Sequence, residues 1–158
     1  MQIRPLLLPT LAAFLALTGC TTPDTQKKKA ARQVMEDEIR REEPGNYYVG
    51  RRYYKVDYKF WGFVRKPGQQ WNTSKLVMLN EQGKLAPDRE LGKLGSDNNS
   101  EYKLYGDFSG QTVYEPASNG FYPEFTLKAY ELRNVAPASI YKQPGATDPA
   151  RRIIATPY

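Results

Sequence analysis

The chain contains no histidine, and a single cysteine, Cys20, stands among its 158 residues. Without histidine it lacks the usual general base, the side chain that changes charge near neutral pH, and the commonest metal ligand. One cysteine closes no disulfide within the chain and builds no thiolate metal cluster. Long apolar runs are missing too. The longest, Leu6 to Leu17, is about a dozen residues with Pro9 inside it, against the roughly 20 that a membrane-crossing helix needs. Charge is mildly one-sided, at +6 overall, which suits anionic surfaces without diagnosing nucleic-acid binding.

The first residues, MQIRPLLLPTLAAFLALTGC, combine a cationic start (Arg4), that short apolar run and small residues at its end. This is the pattern of an export signal, not of a membrane span. The helix-with-buried-cysteine alternative fails because TTPDTQKKK follows at once and leaves nothing to pack on. Leu17-Thr18-Gly19-Cys20 resembles the lipobox of bacterial lipoproteins. The resemblance implies a diacylglyceryl group on the Cys20 thiol, cleavage of residues 1–19 and acylation of the new amino group. Two or three acyl chains hold stably, since each buried CH2 contributes about 0.8 kcal/mol. In diderm relatives an Asp after the cysteine retains the protein in the inner membrane. Thr21 stands there instead, so the resemblance implies a cell-envelope protein of the outer membrane if the source is diderm. The implied partner is the membrane itself, and an exported protein is not expected to meet nucleic acid.

Composition divides the rest. Residues 20–46 form a lipid anchor and charged linker; positions 21–46 carry six basic and six acidic side chains and no aromatics. Residues 47–135 hold seventeen of the aromatics and read as one small domain, large enough to fold alone with a modest core. Residues 136–158 contain four prolines and little apolar pattern, and are expected to be a disordered tail.

Gln26 to Glu43 is rich in helix formers and is stopped by Pro44-Gly45. Its few apolar residues, Ala31, Val34, Met35 and Ile39, predict a solvated helical stalk. From Tyr53 the period becomes two: Tyr54, Val56, Tyr58, Phe60 and Val64 alternate with Lys55, Asp57, Lys59 and Trp61. That predicts a half-buried strand, with Gly62 marking a bulge or bend. Lys75 to Glu81 predicts a short second strand, and the polar, glycine-rich stretch from Gln82 to Asn99 a loop with a weak strand or helical turn. Glu101 to Phe108, Gln111 to Tyr114, and Phe125 to Arg133 predict further strands, with Asn119-Gly120 as a turn. The expected fold class is all-β. Strand order and lengths across residues 47–133 resemble an oligonucleotide/oligosaccharide-binding (OB) barrel, and an SH3-like barrel or an open sandwich would read nearly the same.

No catalytic residue, metal site or cofactor is expected. Ser109, in Gly106-Asp107-Phe108-Ser109-Gly110, is outside the nucleophile-elbow pattern and has no histidine to serve it. Asp97, Asn99 and Glu101 alternate like the start of a calcium loop. Tyr102 and Phe108 then replace the glycine and the bidentate acid that such a loop requires. Gly92-Lys93-Leu94-Gly95 is a bare Gly-x-x-Gly. Carboxylates such as Asp57, Asp107, Glu115 and Glu124 make glycoside hydrolysis a distant third reading, since their separation decides it.

The most suggestive pattern interleaves aromatic and basic residues. Tyr58, Lys59, Trp61, Arg65 and Trp71 are the possible ligand contacts, able to stack on sugar rings if they share an open face. The alternative makes the rings core and the cations a wet face, and large aromatics dominate core burial in small domains. The resulting expectation is a lipid-anchored, non-catalytic binding or assembly-accessory module for an envelope protein. A carbohydrate- or peptidoglycan-binding module is the runner-up.

Overall fold

The computed structural model describes residues 23–158. The leader and Cys20 lie outside them.

Helix α1, Pro23–Arg40, opens with Asp24 in its first turn and closes with Arg40 in its last, both matched to the helix dipole. Exposed i,i+4 pairs line it, Lys28 with Asp24 at 2.8 Å and Arg32 with Glu36 at 3.0 Å. Met35 and Ile39, also four apart, are buried against the domain. The helix expected from sequence is therefore present, but its second half is docked and not a free stalk. A two-residue stripe suffices because the surface it meets is aromatic.

Five strands follow: β1 Tyr48–Arg52, β2 Gly62–Arg65, β3 Lys75–Asn80, β4 Glu101–Glu115 and β5 Gly120–Asn134. A 3-10 turn, Trp71–Thr73, precedes β3, and a short helix α2, Pro87–Glu90, lies between β3 and β4. The sheet closes into a barrel in the order β1-β2-β3-β5-β4. Every pairing is antiparallel except β3 with β5. The protein is thus a small all-β barrel behind an N-terminal helix. The crossing that places β5 between β3 and β4 is a Greek-key step, as in OB barrels.

The strand read from Tyr53 to Val64 is corrected. Residues 53–61 connect β1 to β2, and the expected alternation is not realised: Tyr53, Lys55, Tyr58, Phe60 and Trp61 are buried while Val56 is exposed. Two bonds hold this connector to the sheet, Tyr53 N–H to Trp61 O at 2.8 Å and Trp61 N–H to Val77 O at 3.1 Å. At Gly62 a Cβ would stand 1.9 Å from the Arg51 carbonyl oxygen. The glycine marks close backbone approach of β1 and β2, not a bulge. Conversely, the two short stretches read at 101–108 and 111–114 are one strand, β4, with register shifts between Glu101 and Tyr102, between Tyr105 and Gly106, and between Phe108 and Thr112.

The core is double. Inside the barrel lie Trp61, Val64, Val77, Ala86, Tyr102, Leu104, Phe125 and Leu127. Outside β1 and β2 a second cluster joins Val49, Tyr53, Phe60, Phe63 and Trp71 to Met35 and Ile39 of α1 and to Ile140, Tyr141 and Ala155. Strand β2 is buried on both faces because Phe63 points to one cluster and Val64 to the other.

Residues 136–158 are an ordered strap, which corrects the disordered tail. Ile140, Tyr141, Ala146 and Ala155 are buried in the second cluster, and Tyr141 bridges to Pro157. The Tyr53 hydroxyl donates to the Ile153 carbonyl and accepts the Ala155 N–H at 2.8 Å. Burial pushes that phenol up to about 12. Lys55 Nζ donates to the Asp148 carbonyl at 2.6 Å. Prolines here restrict the unfolded chain, which lowers the entropy lost when the strap docks.

Candidate functional site

The structure separates the residues singled out in the first connector. Trp61 is 2% exposed inside the barrel, whereas Trp71 at 2% and Tyr58 at 9% belong to the outer cluster. They form no common stacking face, and of the two readings the core is the one realised. Lys59 is exposed, and Arg65 is buried.

Of the interleaved cations, Arg65 serves a buried joint. Arg65 binds Glu42 through Nη1 at 2.5 Å and Nη2 at 2.7 Å, with its guanidinium 4.5 Å from the Trp71 ring centroid. Arg51 approaches the same ring at 5.0 Å and pairs with Glu101 at 2.8 Å. Arg133 bridges Glu42 at 2.9 Å and Glu101 at 3.1 Å. Burial alone would raise the Glu42 carboxyl, but bonds from Arg65, Arg133 and the Gly68 N–H prevail and hold it below the ordinary range. These charges fasten α1 to the barrel wall.

On the neighbouring position of β1, Arg52 turns the other way. It meets Asp88 at 2.7 Å and Asp97 at 3.5 Å, all three buried. Burial drives the Asp97 carboxyl up, against Arg52 and with help from Asp88. Asp97 is therefore spent on an internal pair, not on a calcium loop.

What the fold does display is the end of the β4–β5 hairpin. β1 accompanies β4 only over residues 101–104, and β3 accompanies β5 only over 124–126. Beyond the irregularity after Phe108 the two strands continue without a flanking strand, from Thr112 opposite Pro123 to Glu115 opposite Gly120, with Tyr122 packed on Phe60 of the β1–β2 connector at 4.6 Å between ring centroids. Tyr114 and Phe121 face each other across this ribbon, 48% and 69% exposed. Their ring centroids are 5.2 Å apart with a 45° tilt.

The turn beneath them is prepared by its own bonds. Glu115 is buried and accepts the N–H groups of Ala117 at 3.1 Å and Ser118 at 2.7 Å. Tyr114 donates its hydroxyl to Asn119 Oδ1 at 3.0 Å, and Asn119 takes the positive φ of 51° that such turns demand. Sequence reasoning had the Asn119-Gly120 turn but not this pair; the signal was an aromatic on each side of it. No protein-family model matches the chain, and no curated protein or solved structure matches it.

Proposed function

We propose that the protein is a lipid-anchored lipoprotein of the cell envelope whose barrel is a non-catalytic binding or assembly-accessory module. Its recognition point is the Tyr114–Phe121 tip, engaging another envelope protein. Leu17-Thr18-Gly19-Cys20 supports the anchor, and Thr21 supports the outer membrane in a diderm source. The observation that carries the binding reading is the exposure of two rings on a ribbon with no flanking strand. Burying such a ring in a partner contributes about 1.5–3 kcal/mol, and aromatic anchors of this kind carry much of the energy of protein interfaces. A 45° tilt gives a wedge, not the flat platform on which a pyranose stacks, so a protein groove is favoured over a glycan.

Photocrosslinking in intact cells from Phe121→p-benzoylphenylalanine tests the tip. One discrete protein adduct is expected, weakened at least about tenfold by Tyr114→Ala. No adduct in a folded protein overturns this reading, and adducts to muropeptides transfer the function to carbohydrate binding. The anchor is tested separately: Cys20→Ser must abolish incorporation of labelled palmitate.

A further inference from the structure

We infer that the groove between α1 and the C-terminal strap seats the phosphate headgroup of an anionic phospholipid, so that this face lies on the bilayer holding the anchor. The inference rests on the lipoprotein reading and adds a second, non-covalent membrane contact to it.

The groove encloses about 390 Å³, within the range of small-molecule sites. Lys28, Lys29 and Arg32 line it from α1 and Lys142 from the strap, while no Asp or Glu lines it. Its apolar floor includes Ala146 and the buried Tyr141. A wall of four cations over an apolar floor matches a phosphodiester with the first carbons attached to it.

Two of the four cations are unpaired. Lys29 and Lys142 have no ion-pair partner among the described residues. Lys28 is paired with Asp24, but both side chains are about three-quarters exposed, and such pairs contribute little. The Arg32 guanidinium is already placed, 4.6 Å from the Tyr158 ring centroid and 3.0 Å from Glu36.

Position selects the bilayer as the source of the phosphate. Two residues, Thr21 and Thr22, lie between Cys20 and Pro23, so the span is three chain steps, at most about 10 Å. Lys28 to Arg32 lie five to nine residues further, which at 1.5 Å per residue is about 7–14 Å of helix. The groove thus sits within about 25 Å of the acylated sulfur whatever the path between. Lysines near an anionic leaflet contribute about fivefold each to partitioning.

The test uses the full lipidated protein, isotope-labelled, in neutral-detergent micelles. It is titrated with dihexanoyl phosphatidylglycerol, with dihexanoyl phosphatidylcholine and with inorganic phosphate. Phosphatidylglycerol is expected to shift the amide resonances of Arg32, Ser139 and Thr147 saturably, and Lys29→Gln with Lys142→Gln to weaken it roughly 25-fold. Equal shifts with phosphatidylcholine, or shifts spread over all exposed lysines, overturn the inference. Inorganic phosphate binding as tightly as the lipid makes this a free-anion site and also overturns it. Palmitate labelling is read independently, so loss of the anchor reading and loss of the groove are distinguishable.

Discussion

Glu42 and Arg65 form a two-point ion pair across 23 residues of chain, at 2.5 and 2.7 Å, and it fixes where α1 leaves the barrel. Glu42 lies just past the helix and Arg65 ends β2. Both side chains are almost fully buried, so neither charge can lose its partner cheaply.

Glu42→Gln is expected to cost about 3 kcal/mol at neutral pH, because it strands the Arg65 guanidinium. The folded carboxyl titrates below its ordinary value. Its contribution is therefore complete above the usual glutamate range and is lost as pH falls through the depressed value. Urea midpoints of wild type and variant should differ clearly at pH 7 and converge on acidification. A difference that persists undiminished in acid would refute the role.

Asp97 should behave oppositely. Its carboxyl is raised by burial, so the charged form weakens the fold above that value and protonation on acidification relieves it. Asp97→Asn is expected to cost less than about 1 kcal/mol at pH 7, since Arg52 keeps Asp88 at 2.7 Å. Asp88→Asn, which takes that nearer partner, should cost about 3 kcal/mol. Parallel denaturant melts decide; equal losses would mean that Arg52 does not discriminate between them.

The strap can be tested from within. Ile140→Ala should destabilise by about 2–4 kcal/mol, as for a fully buried side chain. A chain ending at Asn134 should lose its cooperative melt, whereas a disordered tail would leave both melts unchanged.

The same comparison shows what was legible. The period-two strands at β4 and β5, the short β3, the Asn119-Gly120 turn and the helix could be read because local pattern fixes each of them. The strap could not, because Ile140 and Tyr141 are two apolar residues in a polar, proline-rich stretch, and their value lies in rings of Tyr53 and Phe63 some 80 residues earlier. β1 was missed for the reverse reason. Arg51 and Arg52 carry no local apolar pattern, and the acids that bury them come from positions 50 and 36 residues away. The aromatic tip sat in plain view and lacked only the knowledge that β1 and β3 stop short of it.

Gly62→Ala should abolish folding, because the new methyl carbon would meet the Arg51 carbonyl oxygen at 1.9 Å. Gly110→Ala meets open space and is strained only by its φ of 83°, a cost of roughly 1–2 kcal/mol. Circular dichroism of the two proteins separates them; two equally folded variants would show that β1 and β2 can part to admit a side chain.

The outer cluster has a consequence for the order of events in synthesis. Its walls come from residues 35–39 at one end and 140–155 at the other, so it cannot close until nearly the whole described chain has been made. The barrel has the same habit, since β3 finds its parallel partner about 45 residues later. A polypeptide that withholds its final packing in this way stays threadable while it emerges. For a chain exported as proposed, late closure keeps it fit to pass a narrow translocation channel before it folds.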